Sequence, residues 1–430
     1  MLKVHVVGAG LAGSEVAYQL AIRGIEVILH EMRPAKMTPV HRTGFFAELV
    51  CSNSLKSEEL RNASGLLKSE MELFGSLTLK IARECRVPAG KALAVDREKF
   101  SMRVTEEVLK SGVQLIVEEV SEIPDDGNVW VIATGPATCE PLMNWLSEKL
   151  GKALYFFDAV APIIAADSID YSKVFFADRY GTGTSDYINC PMNEEQYERF
   201  YEALVSAEVV PVEDFDSCLL FERCKPIEEI ARSGKMSLLF GPLRPVGLID
   251  PRTNRQPYAV VQLRKENVEG TMYNIVGFQT RLKWPEQKRV IRLIPGLENA
   301  EILRYGVMHR NFYVNSRKVL DCHFRLKGTE KVFFAGQITG VEGYMESAAS
   351  GLYVALNIYR YLKGQSLLRL PSTTMMGSLF EYVCNGITDQ LQPMYANYGL
   401  LKDSKNRTKA AERSLRDLEK FLAESGWREG

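Results

Sequence analysis

Two cysteines have the surroundings expected of a reactive thiol. Cys51 lies in "FAELVCSNSLKS", among small polar residues between two apolar stretches. Cys224 lies in "FERCKPIEE", between Arg223 and Lys225. Reactive thiols stay accessible and near groups that stabilise a thiolate, and flanking cations lower a thiol's pKa. The other cysteines, at 85, 139, 190, 218, 322 and 384, have no such setting. Cys85, Cys139, Cys218, Cys322 and Cys384 read as packing residues, and Cys190 in "NCPM" stays open. The closest pair of cysteines is six apart and the histidines show no HxxxH spacing, so neither a zinc nor an iron–sulfur site is expected.

A second chemistry-bearing pattern opens the chain. "GAGLAG" (8–13) follows an apolar strand and opens a helix. Gly8 makes the tight turn, Gly10 lets a pyrophosphate approach the backbone, and Gly13 lets helix and strand pack closely. Ala9, Leu11 and Ala12 complete the loop, and the helix N-terminus would meet the phosphate. Glu31 ends the next strand 21 residues after Gly10, where a carboxylate would hold a ribose hydroxyl. A second turn, "ATG" (Ala133, Thr134, Gly135), and a late "AGQITGVEGY" (335–344) favour FAD as the dinucleotide. The helix starting at 344 would point its positive end at the flavin edge where reduction places negative charge. The small residues "SAASG" (347–351) would let that helix pack closely.

Elements must hold these residues in place. "LKVHVV" and "IEVILHE" read as strands around a first helix ended by Gly24, which is a βαβ unit. Residues 66–82, 97–111, 194–207 and 408–424 read as helices, and "NVWVIATGP" (128–136) as a strand entering a turn. Met345, Ala348, Leu352, Ala355 and Tyr359 give the helix at 344–362 one apolar face. Between about 176 and 304 the chain becomes rich in Pro and Gly, with short strand-like runs such as "AVVQLR" and "MYNIVGF". The expected fold is α/β: an FAD-binding Rossmann-like domain in two segments, 1–175 and 305–430, the second carrying C-terminal helices. An α+β domain is inserted at 176–304.

The bulk composition narrows the function. The 430 residues are 46% hydrophobic and 25% charged with a formal net charge of −1, so no global basic field attracts nucleic acid. RNA contact would have to rest on local patches. Two exist: 281–292 carries Arg281, Lys283, Lys288, Arg289 and Arg292 against one Glu, and 402–416 carries six cations, including Lys405, Arg407 and Lys409, against two acids. Either is a solvated face or a phosphate-contacting surface. No apolar run approaches the length of a membrane span and no signal peptide is read at the N-terminus, so a cytoplasmic protein with reduced thiols is expected.

Several longer motifs carry a resemblance. "GAGLAGSEVAYQLA", "EMRP", "FAELVCSNSLKS", "VPAGKALAVDR", "FERCKPIE", "GFQTRLKWPEQKRV", "IPGLENAE", "GVMHRN" and "AGQITGVEGYMESAASGL" resemble the folate- and FAD-dependent tRNA (uracil-5-)-methyltransferase family from residue 1 to about 357. The glucose-inhibited division protein A family is related but longer, with a helical C-terminal domain. The resemblance implies transfer of a methylene carbon from 5,10-methylenetetrahydrofolate to C5 of a uridine in the tRNA T-loop, position 54 in standard tRNA numbering. FAD supplies electrons and NAD(P)H reduces it; no stable protein partner is implied. On the same motifs it implies cofactor contacts at Arg33, Asn53, Ser54, Gly336, Gln337, Gly343, Tyr344 and Met345. Cys51 looks like the thiol at the flavin, suited to forming or protecting an adduct there, and Cys224 like the thiol that attacks uracil C6. Lys91 and Arg223 depart from the family pattern, which has glycine at both. A ribosomal uridine as target, a small-molecule NAD(P)H-dependent flavin oxidoreductase, and an RNA-binding flavoprotein without methylation activity remain alternatives.

Overall fold

Short apolar runs rich in β-branched residues build a parallel sheet. Its strands lie in the order Val332–Phe334, Val129–Ile132, Val4–Val7, Val27–Glu31, Gln114–Val117. Both faces of an all-parallel sheet are covered, which is why 27–31 and 129–132 are buried at every position. The edge strand at 332–334 pairs with 129–132, so the chain leaves this sheet and returns to complete it. The structure, a computed structural model, describes residues 2–151, 154–181, 185–211, 219–220, 225–385 and 391–427, with the backbone alone at 154–159, 181, 219–220 and 309–310.

The excursion forms a second, six-stranded sheet: Phe175–Phe176, Ile188–Met192, Ala259–Lys265, Met272–Ile275, Ile163–Ala165, Ile302–Arg304. Its core is separate from the first and draws on residues from Ala161 to Ala300. The boundary expected at 176 falls inside this sheet, because strand 163–165 already pairs with 272–275 and 302–304. Strands Leu154–Ala159, Leu219–Leu220 and Met308–Tyr313 form a small third sheet, with 154–159 and 308–313 antiparallel where the chain crosses between the two cores.

The two segments of the first domain lock through helices Leu11–Ala21 and Tyr344–Leu362. A Cβ at Gly351 would come within 2.5 Å of the Ala12 carbonyl oxygen, so the small run at 347–351 allows this contact. The helix expected at 66–82 is instead two, Ala63–Phe74 and Leu77–Glu84. Gly75 ends the first at φ +78° and the Ser76 hydroxyl caps the second by accepting from Leu79 N (3.2 Å). Buried Glu15, from helix 11–21, accepts from Thr78 N (2.9 Å) and Thr78 Oγ1 (2.7 Å) at the same helix start.

A second buried carboxylate does the same elsewhere. Glu70 accepts from Met375 N (2.6 Å) and Met376 N (2.7 Å) at the start of helix Met375–Asn385, and from the Ser414 hydroxyl of helix Arg407–Ser425. Negative charge at a helix N-terminus is favourable, yet burial wins and pushes the Glu70 carboxyl up to about 7. Its folded pKa therefore lies above its unfolded value. Its favourable contribution is complete below pH 4.5 and is lost as pH rises toward 7, at up to about 1.4 kcal/mol per pH unit. Glu70→Gln should abolish this loss. Denaturant unfolding at pH 4.5 and pH 7 checks it: the variant's stability relative to wild type should rise with pH.

Candidate active site at the junction of two clefts

The glycine turn opens onto a first cleft lined by Gly8, Gly10, Leu11, Ala12, Glu31, Arg33, Thr134, Gly135, Gly336 and Gln337 among others. The three glycines differ in what surrounds them. A Cβ at Gly13 would lie 1.9 Å from the Gly8 carbonyl oxygen, and one at Gly8 (φ +96°) would lie 2.9 Å from the Ala133 carbonyl oxygen. At Gly10, the N-cap of helix 11–21, a Cβ would have only that same Ala133 oxygen within reach, at 4.0 Å. The turn is closed behind and open in front, where helix amides face the cleft.

Glu31 does line this cleft, but its carboxylate is already engaged. Oε2 accepts from Ala9 N (2.8 Å) and Arg33 Nη2 (3.2 Å), while Oε1 accepts from Arg33 N (3.0 Å) and Arg33 Nε (2.9 Å). Burial alone would raise the Glu31 pKa, but the Arg33 bonds outweigh it and hold the group below its usual range. A ribose hydroxyl would therefore have to share this carboxylate with Arg33 or displace it. His41, also on this cleft, is pushed down to about 4 by burial and by Arg33, so it is neutral at pH 7.

A second, wider cleft adjoins the first, and Val50, Cys139, Gln337 and Tyr344 line both. Cys51, Ser54, Lys56, Asn311 and Gly343 face the second. Half-buried Cys51 is held by its backbone: its N–H donates to the Tyr344 hydroxyl (2.7 Å), which also accepts from Ser52 N (3.2 Å). Tyr344 is the first residue of helix 344–362 and Gly343 is its N-cap. Burial, then the neighbouring Cys51, raises the Tyr344 pKa, so the phenol keeps its proton.

Three arginines from three elements fasten the same loop. Arg97 Nη1 donates to the Leu49 carbonyl, and Arg304 Nη2 to the Val50 carbonyl (2.7 Å). Arg264 Nη2 donates to Ser52 Oγ (2.8 Å) and its Nε to Asn53 Oδ1 (2.9 Å). Arg97 is paired with Glu266 (3.0 Å), whereas these contacts of Arg264 and Arg304 are to neutral oxygens. Burial and then Arg97 push Arg304 down to about 10, which still leaves it charged at pH 7. Cations held near a thiol favour its thiolate. Across the cleft Lys56, at φ +65°, donates to buried Glu346 Oε1 (3.0 Å).

A family model described as glucose inhibited division protein A matches residues 3–366. A protein of Pseudothermotoga lettingae named methylenetetrahydrofolate--tRNA-(uracil-5-)-methyltransferase TrmFO is 68% identical over 431 residues, covering 100% of this chain and 98% of its own. One of the same name from Thermotoga maritima is 61% identical over 434 residues, covering 99% and 100%. The chain belongs to the TrmFO family. Among solved structures, GidA of Aquifex aeolicus superposes with a TM-score of 0.74 at 15% identity, covering 99% of this chain and 74% of that one, a likeness of fold.

Not every residue expected at the site of this TrmFO family member reaches a cleft. Ala9 and Gly13 act through the backbone behind the turn, and Met345 is buried. Asn53 is fully buried, its amide donating to the Val95 (3.0 Å) and Lys265 (2.8 Å) carbonyls. Cys224, Arg223 and Cys218 lie outside the described residues. Lys91 pairs with Glu59 (2.9 Å). Cys139, expected to be a packing residue, is half-buried on both clefts; Cys322, expected likewise, is half-buried and accepts from Arg369 Nε (2.7 Å). Cys85, Cys190 and Cys384 are buried. Composition could not place 139 or 322, because each flanks a turn whose direction only the fold sets.

The basic stretches sit on different cores. Arg281 is buried with Nη2 on Glu229 (2.5 Å), Lys283 pairs with Glu208 (2.6 Å) and Arg289 with Glu286 (2.5 Å). Arg292 reaches the Ala300 carbonyl (3.5 Å), and Lys288 is exposed. Lys405, Arg407 and Lys409 are exposed at the start of helix 407–425, with Arg407 donating to the Arg61 carbonyl (3.2 Å). Arg97, Arg264 and Arg304 were not singled out in the sequence. An arginine inside the apolar strand 259–265 was the available signal.

The contrast between Gly10 and Gly13 is testable. Gly13→Ala should lower the melting temperature by several degrees, since its Cβ meets backbone. Gly10→Val should melt near wild type but lose bound dinucleotide, read as visible absorbance of the purified protein. Full dinucleotide content in Gly10→Val would place the anion elsewhere.

Proposed function

We propose that the chain methylates C5 of a uridine in the T-loop of tRNA, position 54 in standard tRNA numbering, with 5,10-methylenetetrahydrofolate as carbon donor, bound FAD and NAD(P)H as reductant. The observation that carries this is the placement of Cys51. It sits on a half-buried, arginine-clamped loop where the cleft at the glycine turn meets a second cleft. Identity of 68% to a relative bearing that activity in its name supports the substrate class.

The residues fit FAD. The turn is open only in front of Gly10, and the N-terminus of helix 344–362 reaches the junction of the clefts through Gly343 and Tyr344. Gly8, Gly10, Ala12, Glu31 and Arg33 would hold the dinucleotide, and Gln337 with the helix start at Gly343 would hold its other end. Once reduced by NAD(P)H, FAD supplies the electron pair that takes the transferred carbon from methylene to methyl.

The remaining chemistry belongs to thiols and cations. Uracil C5 is a poor nucleophile until a thiolate adds at C6, forming a C–S bond and an enolate. C5 then attacks the one-carbon unit, the C5 proton is lost as that carbon's bond to tetrahydrofolate breaks, and a hydride equivalent arriving at the carbon makes the methyl group and expels the thiolate as the ring double bond returns. Cys224 is the candidate for that addition. Cys51 belongs to the cofactor side, on a loop oriented by Tyr344 and tied down by Arg264 and Arg304. The exposed ion pairs of 281–292 are individually weak, so phosphates could compete for these cations, and Lys405, Arg407 and Lys409 would add a second contact area.

Nucleoside mass analysis after incubating tRNA with holoenzyme, methylenetetrahydrofolate and NAD(P)H tests the reading. A methylated uridine should form. Cys224→Ala should retain flavin and its reduction yet make no product, and should form no covalent adduct with 5-fluorouracil-containing tRNA. Cys51→Ala should alter the flavin spectrum while retaining that adduct. An adduct kept in Cys224→Ala and lost in Cys51→Ala would exchange the two roles. Product in ribosomal RNA but not tRNA would redirect the substrate.

A further inference from the structure

The stretch 281–292 contains an aromatic whose placement the ion pairs do not explain. Trp284, first residue of helix Trp284–Ile291, is 59% exposed. Of the four tryptophans only this one is exposed; Trp130 and Trp427 are buried and Trp145 is half-buried. One face of its indole is covered by Tyr305, with ring centroids 5.1 Å apart and planes 17° from parallel.

The pair is held rigidly. Fully buried Gln287, in the same helix, grips the residue after Tyr305 in both directions: its Nε2 donates to the Gly306 carbonyl (2.8 Å) and its Oε1 accepts from Gly306 N (2.8 Å). The residue before Tyr305 is Arg304, which donates to the Val50 carbonyl beside Cys51 (2.7 Å). Gln279 and Met308, on either side of this unit in sequence, line the second cleft. The stacked pair is therefore coupled to the cleft wall through short, buried connections. Exposed Lys288 lies four residues on in the same helix, one turn from Trp284.

We propose that Trp284, backed by Tyr305, is a stacking platform for an unpaired nucleobase of the RNA substrate, next to the base that enters the second cleft. A flat aromatic backed on one face, exposed, and with a lysine one helical turn away is what sequence-tolerant single-strand recognition uses. The base stacks on the indole and Lys288 meets its phosphate. This rests on RNA being the substrate, and it adds which side chain grips a neighbouring base.

Tryptophan emission of the holoenzyme on titration with tRNA reads the contact directly, alongside kinetics of Trp284→Ala, Trp284→Leu and Trp284→Phe. Emission should be quenched by tRNA, and the quench should vanish in Trp284→Phe. The KM for tRNA should rise about tenfold or more in Trp284→Ala and Trp284→Leu, and Trp284→Phe should recover most of it, with the KM for methylenetetrahydrofolate within about twofold throughout. An unchanged KM for tRNA overturns the platform. So does a raised KM for folate alone, which would give the indole to the folate ring, or a quench that follows protein concentration rather than RNA, which would mark self-association. A wild-type enzyme that makes no methylated uridine but whose Trp284 is quenched by tRNA would sink the catalytic reading and leave the platform standing.

Discussion

The site depends on a phenol from the end of the chain meeting amides from its beginning. Tyr344 accepts from Cys51 N and Ser52 N and so fixes the reactive loop to the start of helix 344–362. That helix is in turn fixed by close packing of Gly351 on Ala12, in the first turn of the helix that follows "GAGLAG". The glycine turn, the thiol loop and the late helix are thus one rigid unit. A loop tied only at its ends could not keep a thiol at one place between two clefts; positioned catalytic groups need such support.

The same loop shows how burial and charge are balanced here. Arg97 enters a buried site with its own carboxylate, Glu266, and burial's tendency to lower its pKa is outweighed by that partner. Arg304 enters with carbonyl partners, and its pKa falls to about 10. Burying a cation without a carboxylate is costly, and structural roles alone are usually met by neutral donors. Elsewhere the protein uses the opposite arrangement, with buried Glu15 and Glu70 at helix N-termini holding helices together far from the clefts.

Much of this was legible in the sequence. The βαβ start, the apolar face of helix 344–362 and the late strand returning to the first sheet follow from period and punctuation, signals local to a dozen residues. That Cys51 reaches a cleft was readable because polar residues around a cysteine are a local feature. What was not legible is long-range. The break at Gly75 hid within a good helical period, and Glu15 fixes it from sixty residues away. Asn53 looked like a cofactor contact but is consumed by strands at 92–95 and 259–265. Arg281 looked like a free cation but is buried on Glu229. A polar side chain's partner across the fold decides whether it faces a ligand, and spacing along the chain does not carry that information.

The direct test of the account is amide hydrogen exchange over the peptide containing Cys51 and Ser52, in wild type and Tyr344→Phe. Losing the hydroxyl removes the acceptor for both amides and leaves the ring in place. The account predicts faster exchange in that peptide with unchanged protection over the glycine turn. Unchanged protection at Cys51 and Ser52 would mean that the arginines hold the loop without Tyr344, and would contradict the phenol as the element that positions the thiol.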